Sequence, residues 1–412
     1  PWVSSNTAVA TVSNTGLVTG ISAGTSVITY TNIAGCSNTA TVTVNALPTI
    51  TGILTVCDNS TTQLTGSGTP AASNPWVSGT PGVATVSNTG LVTGVSAGSS
   101  VITYTNSNGC SRTATVTVYA LPSISGTLTV CDNSTTQLTG SGTPAASNPW
   151  VSSNTAVATV SSTGLVTGVS AGSSVITYTN SNGCSITATV TVFALPSITG
   201  TLTVCSGSTT QLTGSGTPAA SNPWVSSNTA AATVSNTGLV TGVSAGSSVI
   251  TYTNSNGCST TATVTVYASP SISGTLAVCI GSTTQLNGSG TPAASNPWVS
   301  SNTGVATISN TGLVTGISAG ASVITYTNNN GCSTTATVTV YSTPTISGTL
   351  SVCVNSTTQL TGSGTPAASN PWVSSNTAVA TVSNTGLVTG ISAGTSVITY
   401  TNIAGCSNTA TV

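Results

Sequence analysis

Cysteine is the one reactive side chain that this sequence places on a fixed beat. Its eleven cysteines form two interleaved series. One runs Cys36, Cys110, Cys184, Cys258, Cys332 and Cys406; the other runs Cys57, Cys131, Cys205, Cys279 and Cys353. Within each series the step is 74 residues. No two cysteines have CxxC spacing, and two per step fall short of the four ligands of a structural zinc site. Histidine is absent, so imidazole ligands are absent too. What remains is disulfide chemistry in an oxidising compartment.

The rest of the inventory excludes more chemistry than it offers. Arg112 is the only basic residue, and Asp58 and Asp132 are the only acids. A chain without His, Glu or Lys lacks the usual general bases and Schiff-base amines. Asp58 and Asp132 occupy equivalent positions one step apart, where Ser206, Ile280 and Val354 stand elsewhere. That substitution pattern reads as a turn position and not as a paired-carboxylate site. Arg112 is matched by Ile186 and Thr260. One arginine makes neither a phosphate clamp nor an electrostatic footprint for nucleic acid. The expectation is no catalytic residue, no metal and no cofactor, and therefore no enzyme.

The same step organises the whole chain. Tryptophan recurs at Trp2, Trp76, Trp150, Trp224, Trp298 and Trp372, and proline at Pro48, Pro122, Pro196, Pro270 and Pro344. These landmarks divide the chain into a partial repeat, 1–46, and repeats at 47–120, 121–194, 195–268, 269–342 and 343–412. Residues 1–42 and 371–412 are identical, which implies a longer parent chain. Only 1% of residues are charged, against about 25% in ordinary domains. The apolar content of 38% and mean hydropathy of +0.36 nevertheless argue against disorder. No apolar run approaches the ~18 residues of a membrane span.

Within 48–121 the pattern is that of short strands. Leu54–Cys57, Thr61–Thr65, Trp76–Ser78, Val83–Val86, Leu91–Thr93, Val101–Thr105 and Thr113–Val118 alternate or run apolar, with turn signals such as Asn88-Thr89-Gly90 and Asn108-Gly109 between them. Threonine and valine favour pleated strands. About seven strands per repeat, with turns every 8–12 residues, predict an all-β tandem array of antiparallel sandwiches. The six tryptophans are expected in the cores, between the sheets.

The stretch from Trp2 to Thr31, WVSSNTAVATVSNTGLVTGISAGTSVITYT, resembles the bacterial immunoglobulin-like group-two repeat. The Trp, Val-Ala-Thr-Val, Gly-Leu-Val-Thr-Gly and Ser-Ala-Gly elements match in kind and order, and the likeness extends over every repeat. The cysteine contexts are similar to those of secreted surface proteins of Bacteroidota. The resemblance implies an immunoglobulin-like sandwich in an extracellular, cell-surface setting, without a catalytic site. The departure is the missing charge. Faces of Thr, Ser and Asn lack the repulsion that keeps proteins apart.

Three regular disulfide pairings are open. The preferred one stays within the repeat: Cys57–Cys110, and equivalently Cys131–Cys184, Cys205–Cys258, Cys279–Cys332 and Cys353–Cys406. The second is staggered, joining Cys57 to Cys184 of the next repeat. The third, Cys36–Cys57 across the linker, sets its sulfurs too far apart. Strand parity separates the first two. An odd number of strands between Cys57 and Cys110 puts them at opposite ends and favours the stagger. The count is five if Trp76–Ser78 and Val83–Val86 are distinct strands.

The expected function is structural: an extracellular fibre or filament that self-associates. The alternative is the stalk of an adhesin whose head, with any glycan or surface ligand, lies in regions not present. Asn59, Asn133 and Asn355 stand in Asn-Ser-Thr sequons. The alternation Thr113-Ala114-Thr115-Val116-Thr117 also invites an ice- or mineral-binding reading, which sandwich twist disfavours.

Overall fold

The computed structural model describes residues 1–412, and its regular structure is entirely β. It contains no helix long and apolar enough to cross a membrane. The chain forms two compact units, Pro1–Leu195 and Pro196–Val412. The first holds the partial repeat and two complete ones; the second holds the next three, whose last sheet ends at Thr411.

The second repeat represents the complete ones. Ala84–Val86, Leu91–Gly94, Thr61–Gly66 and Ile50–Gly52 form one four-stranded sheet in that order. Thr55–Cys57, Ser111–Tyr119, Gly98–Thr105 and Trp76–Ser78 form the other. This is the two-sheet arrangement of an immunoglobulin domain. All neighbours are antiparallel except Thr55–Cys57, which lies parallel to the end of Ser111–Tyr119. The sequence reading began the first strand at Leu54 and assigned no strand to Ile50–Gly52. In the structure it changes sheets between Gly52 and Thr55, and Ile50–Gly52 pairs with Leu64–Gly66. Trp76–Ser78 and Ala84–Val86 belong to different sheets.

Period-two alternation sets which side chains turn inward. Val116 and Val118 are buried while Thr113 and Thr115 are exposed. Ile102 and Tyr104 are buried, with Val101 exposed between the same sheet's polar residues. The core collects Val56, Leu64, Trp76, Ala84, Val92, Ile102, Tyr104, Val116 and Val118, so nearly every strand contributes to it. Trp76 packs on Tyr104, with ring centroids 4.6 Å apart and planes tilted by 41°.

Five of the six tryptophans are buried as expected, but Trp2 is only half-buried. Its partner Tyr30 is 44% exposed, against 1% for Tyr104. The cause is local. Gly66 of the Thr61–Gly66 strand lies directly against the Tyr104 ring, and residues 1–46 contain no equivalent strand.

That contact requires glycine. A Cβ on Gly140, the equivalent in the third repeat, would sit 2.3 Å from Tyr178 Cε1 and 2.4 Å from Cζ. Tyr178 is 1% exposed and its hydroxyl donates to the Gly142 carbonyl at 3.3 Å, so moving the ring breaks that bond and disturbs the core. Gly140→Ala is expected to cost about 3 kcal/mol, the upper part of the range for overpacked cores. Urea unfolding followed by Trp fluorescence measures it; a change below ~1 kcal/mol would mean that the ring yields freely.

Candidate functional site

The chemistry-bearing feature of this chain is its set of disulfides. Cys57 closes the Thr55–Cys57 strand and stands opposite Tyr119, the last residue of the neighbouring strand. The Asp58 amide donates to the Tyr119 carbonyl at 2.8 Å, which fixes the chain as it leaves the cysteine. Cys184 is set by the tight turn before it. Asn180 Oδ1 accepts from the Asn182 and Cys184 amides at 3.1 and 3.0 Å, and Gly183 takes φ +80°. Asn180 is itself buried, and Cys184 is fully buried. The turn aims the sulfur at the preceding repeat.

Cys57 bonds to Cys184, Cys205 to Cys332 and Cys279 to Cys406. Each bond joins residues 127 apart in sequence, with Cα atoms 5.6–5.7 Å apart, inside the normal disulfide range. Cys131 and Cys258 are disulfide-bonded as well. Cys36, Cys110 and Cys353 have no disulfide partner within residues 1–412.

These bonds correct the preferred within-repeat pairing. Cys57–Cys110, Cys131–Cys184, Cys205–Cys258, Cys279–Cys332 and Cys353–Cys406 do not form, because Cys57, Cys205 and Cys279 hold Cys184, Cys332 and Cys406 of the next repeat. The reason is strand parity. Five strands lie between Cys57 and Cys110: Thr61–Gly66, Trp76–Ser78, Ala84–Val86, Leu91–Gly94 and Gly98–Thr105. Cys57 sits beside the end of Ser111–Tyr119, and Cys110 immediately precedes its start. At ~3.3 Å per residue the two are roughly 30 Å apart, at opposite ends of one sandwich. Cys110 Sγ instead faces the Asn45 carbonyl of the preceding segment, 4.0 Å away.

The outer face of the same sheet is the second candidate. Thr103 pairs with Thr113 and with Val77, and Val101 pairs with Thr115. Val77 and Val101 are 51% and 45% exposed, and Val151, Val175, Val225, Val249, Val299 and Val323 repeat the arrangement. The expected Thr and Ser surface therefore carries an uncharged valine stripe as well. Alternation around Ile102 could have located Val101; Val77 lies in too short a strand for periodicity to orient it.

The remaining candidates do structural work. Asn59, Asn133 and Asn355 adopt φ of 58°, 58° and 63°, and Gly207 and Gly281 hold the same position at 80° and 78°. A left-handed turn accounts for Asn or Gly there. Asp58 and Asp132 follow their cysteines in this turn, each with Oδ1 shielded from solvent and lacking a hydrogen-bond partner. Arg112 is exposed beside the Tyr104 position. No three His, Cys, Asp or Glu residues gather into a metal-ligand group. A cleft of about 180 Å³ recurs beside Gln63, Gln137 and Gln211. In it Gln63 Nε2 donates to Leu64 and Thr89 carbonyls at 2.7 and 2.8 Å, and Trp76 is 5% exposed. It offers a ligand neither a free amide hydrogen nor an open aromatic face.

Known proteins place this architecture. Among curated proteins, the chain is 32% identical to Ice-binding protein 1 of Shewanella frigidimarina (strain NCIMB 400), over 99% of this chain and 53% of that protein. The chain thus spans about half the length of that relative. Similar solved structures include invasin, a bacterial integrin-binding protein (15% identity, 79% of this chain, 77% of that one, TM-score 0.26). They also include the eight N-terminal Ig domains of the Down syndrome cell adhesion molecule (12% identity, 94% and 63%, TM-score 0.25). The bacterial Ig-like domain (group 2) matches at residues 1–44, 43–118, 123–192, 196–266, 268–340 and 338–412. With that match covering nearly every residue, and two Ig-type sheets in each complete repeat, the chain belongs to the bacterial Ig-like (group 2) family.

Proposed function

We propose that this chain is a non-catalytic structural segment of an extracellular or cell-surface protein: a shaft of tandem Ig-like repeats that associates sideways into a fibre. The observation that carries the reading is the bonding of neighbouring repeats by Cys57–Cys184, Cys205–Cys332 and Cys279–Cys406. Such bonds persist in oxidising compartments, and they lock repeats to each other instead of stabilising them singly. Sideways association is supported by a net charge of -1 over 412 residues and by the recurring valine stripe. Uncharged faces put no electrostatic barrier between copies.

A second reading has its own support. The curated relative is an ice-binding protein, and the pairs Thr103–Thr113, Thr177–Thr187, Thr251–Thr261 and Thr325–Thr335 recur on an exposed sheet face. In that reading the shaft belongs to an ice-binding protein, and its threonine face touches ice.

Negative-stain electron microscopy of the oxidised chain, with an ice-recrystallisation assay on the same sample, separates the two. Fibres wider than one row of repeats, with no effect on ice, are expected. Strings one repeat wide at every concentration would remove the fibre. Inhibition of ice growth that disappears in a Thr103→Lys, Thr177→Lys, Thr251→Lys, Thr325→Lys variant would establish the second reading.

A further inference from the structure

We propose that the linkers after the second, fourth and fifth repeats are duplicated by disulfides, so that the shaft stays joined, and keeps a limited length, when one of these linkers is cut or a repeat unfolds. Cys57–Cys184 spans the linker at Ala120-Leu121-Pro122. Cys205–Cys332 spans Ala268-Ser269-Pro270, and Cys279–Cys406 spans Ser342-Thr343-Pro344. In each linker the two residues before proline are exposed and outside any strand. Exposed, irregular backbone is where proteases cut. Each of these weak points therefore has a second covalent path beside it.

The same bonds shorten the path that a pulling force follows. From Pro1 the covalent route runs to Cys57, crosses to Cys184, runs to Cys205 and crosses to Cys332. It then returns to Cys279, crosses to Cys406 and leaves at Val412. About a third of the peptide steps lie on that route. At ~3.4 Å per residue, the fully pulled chain reaches roughly 500 Å when oxidised and roughly 1,400 Å when reduced. Residues 58–120 lie in the loop that the Cys57–Cys184 bond bypasses. The strands that make the core of the second repeat lie mostly within that stretch. A shaft of this kind tolerates nicks and does not unravel.

This inference draws on the shaft reading for its use, but its covalent basis is independent of fibre formation. The test inserts a site-specific protease sequence after Ala120 in the full chain. After cleavage under oxidising conditions, a denaturing gel without reductant is expected to show one species; reductant is expected to split it into two. Parting without reductant overturns the proposal. A Cys57→Ser, Cys184→Ser version of the same chain is expected to part on cleavage alone. If that variant does not fold, the reductant comparison still decides. Single-molecule pulling gives the second readout: the reduced chain is expected to extend about threefold further than the oxidised one, and equal final lengths overturn the length limit. Either failure leaves the fibre reading standing, and bridged linkers in a chain that forms no fibre leave this inference standing.

Discussion

Cys184→Ser is expected to lower the stability of the second and third repeats by roughly 5 kcal/mol, the chain-entropy value for a loop of 127 residues. The argument lies in the unfolded state. With Cys57 and Cys184 joined, the unfolded chain loses the freedom of a loop spanning most of two repeats; without the bond that freedom returns. Cys57→Ser is expected to have the same effect, and the double variant no more than either single one, because all three remove one bond. Cys110→Ser supplies the contrast. Cys110 is not the partner of Cys57, so its replacement leaves the Cys57–Cys184 loop closed and is expected to change that loop's contribution by less than ~0.5 kcal/mol. Hydrogen exchange on the full oxidised chain reads the repeats separately. A loss at Cys110→Ser equal to that at Cys184→Ser would restore the within-repeat pairing.

Trp150→Ala is the second large effect, expected at about 4 kcal/mol, within the range for deleting a buried aromatic side chain. Trp150 is 7% exposed and packs on Tyr178 with ring centroids 4.6 Å apart. Its removal leaves a cavity walled by two sheets, which strand pairing prevents from collapsing. Val151→Ala, at the next position along the strand, is expected to cost less than ~1 kcal/mol, since Val151 is 50% exposed and has less apolar area to return to water. Urea unfolding of the two variants compares them directly. Equal losses would mean that Trp150 acts through something other than burial between the sheets.

The fold was legible because its determinants are local and repeated. Alternation in Val101–Thr105 and Thr113–Val118, turn signals at Asn88-Thr89-Gly90 and Asn108-Gly109, and a Trp on every step each pointed to a sandwich. The split of the first strand was not legible. Ile50–Gly52 and Thr55–Cys57 are three residues each, too short for a period, and their sheets are chosen by the partners they meet.

By itself the sequence determined the repeat and a side-chain inventory without His, Glu or Lys, and its cysteine spacing pointed to disulfides. The partner of each cysteine was decided only by tertiary structure. Every regular scheme repeats with the same 74-residue step, whereas a disulfide demands Cα atoms within ~7 Å. Whether Cys57 meets Cys110 or Cys184 depends on which end of a sandwich each reaches and which end of the next sandwich lies beside it. That is a property of strand count and register, which no single segment carries.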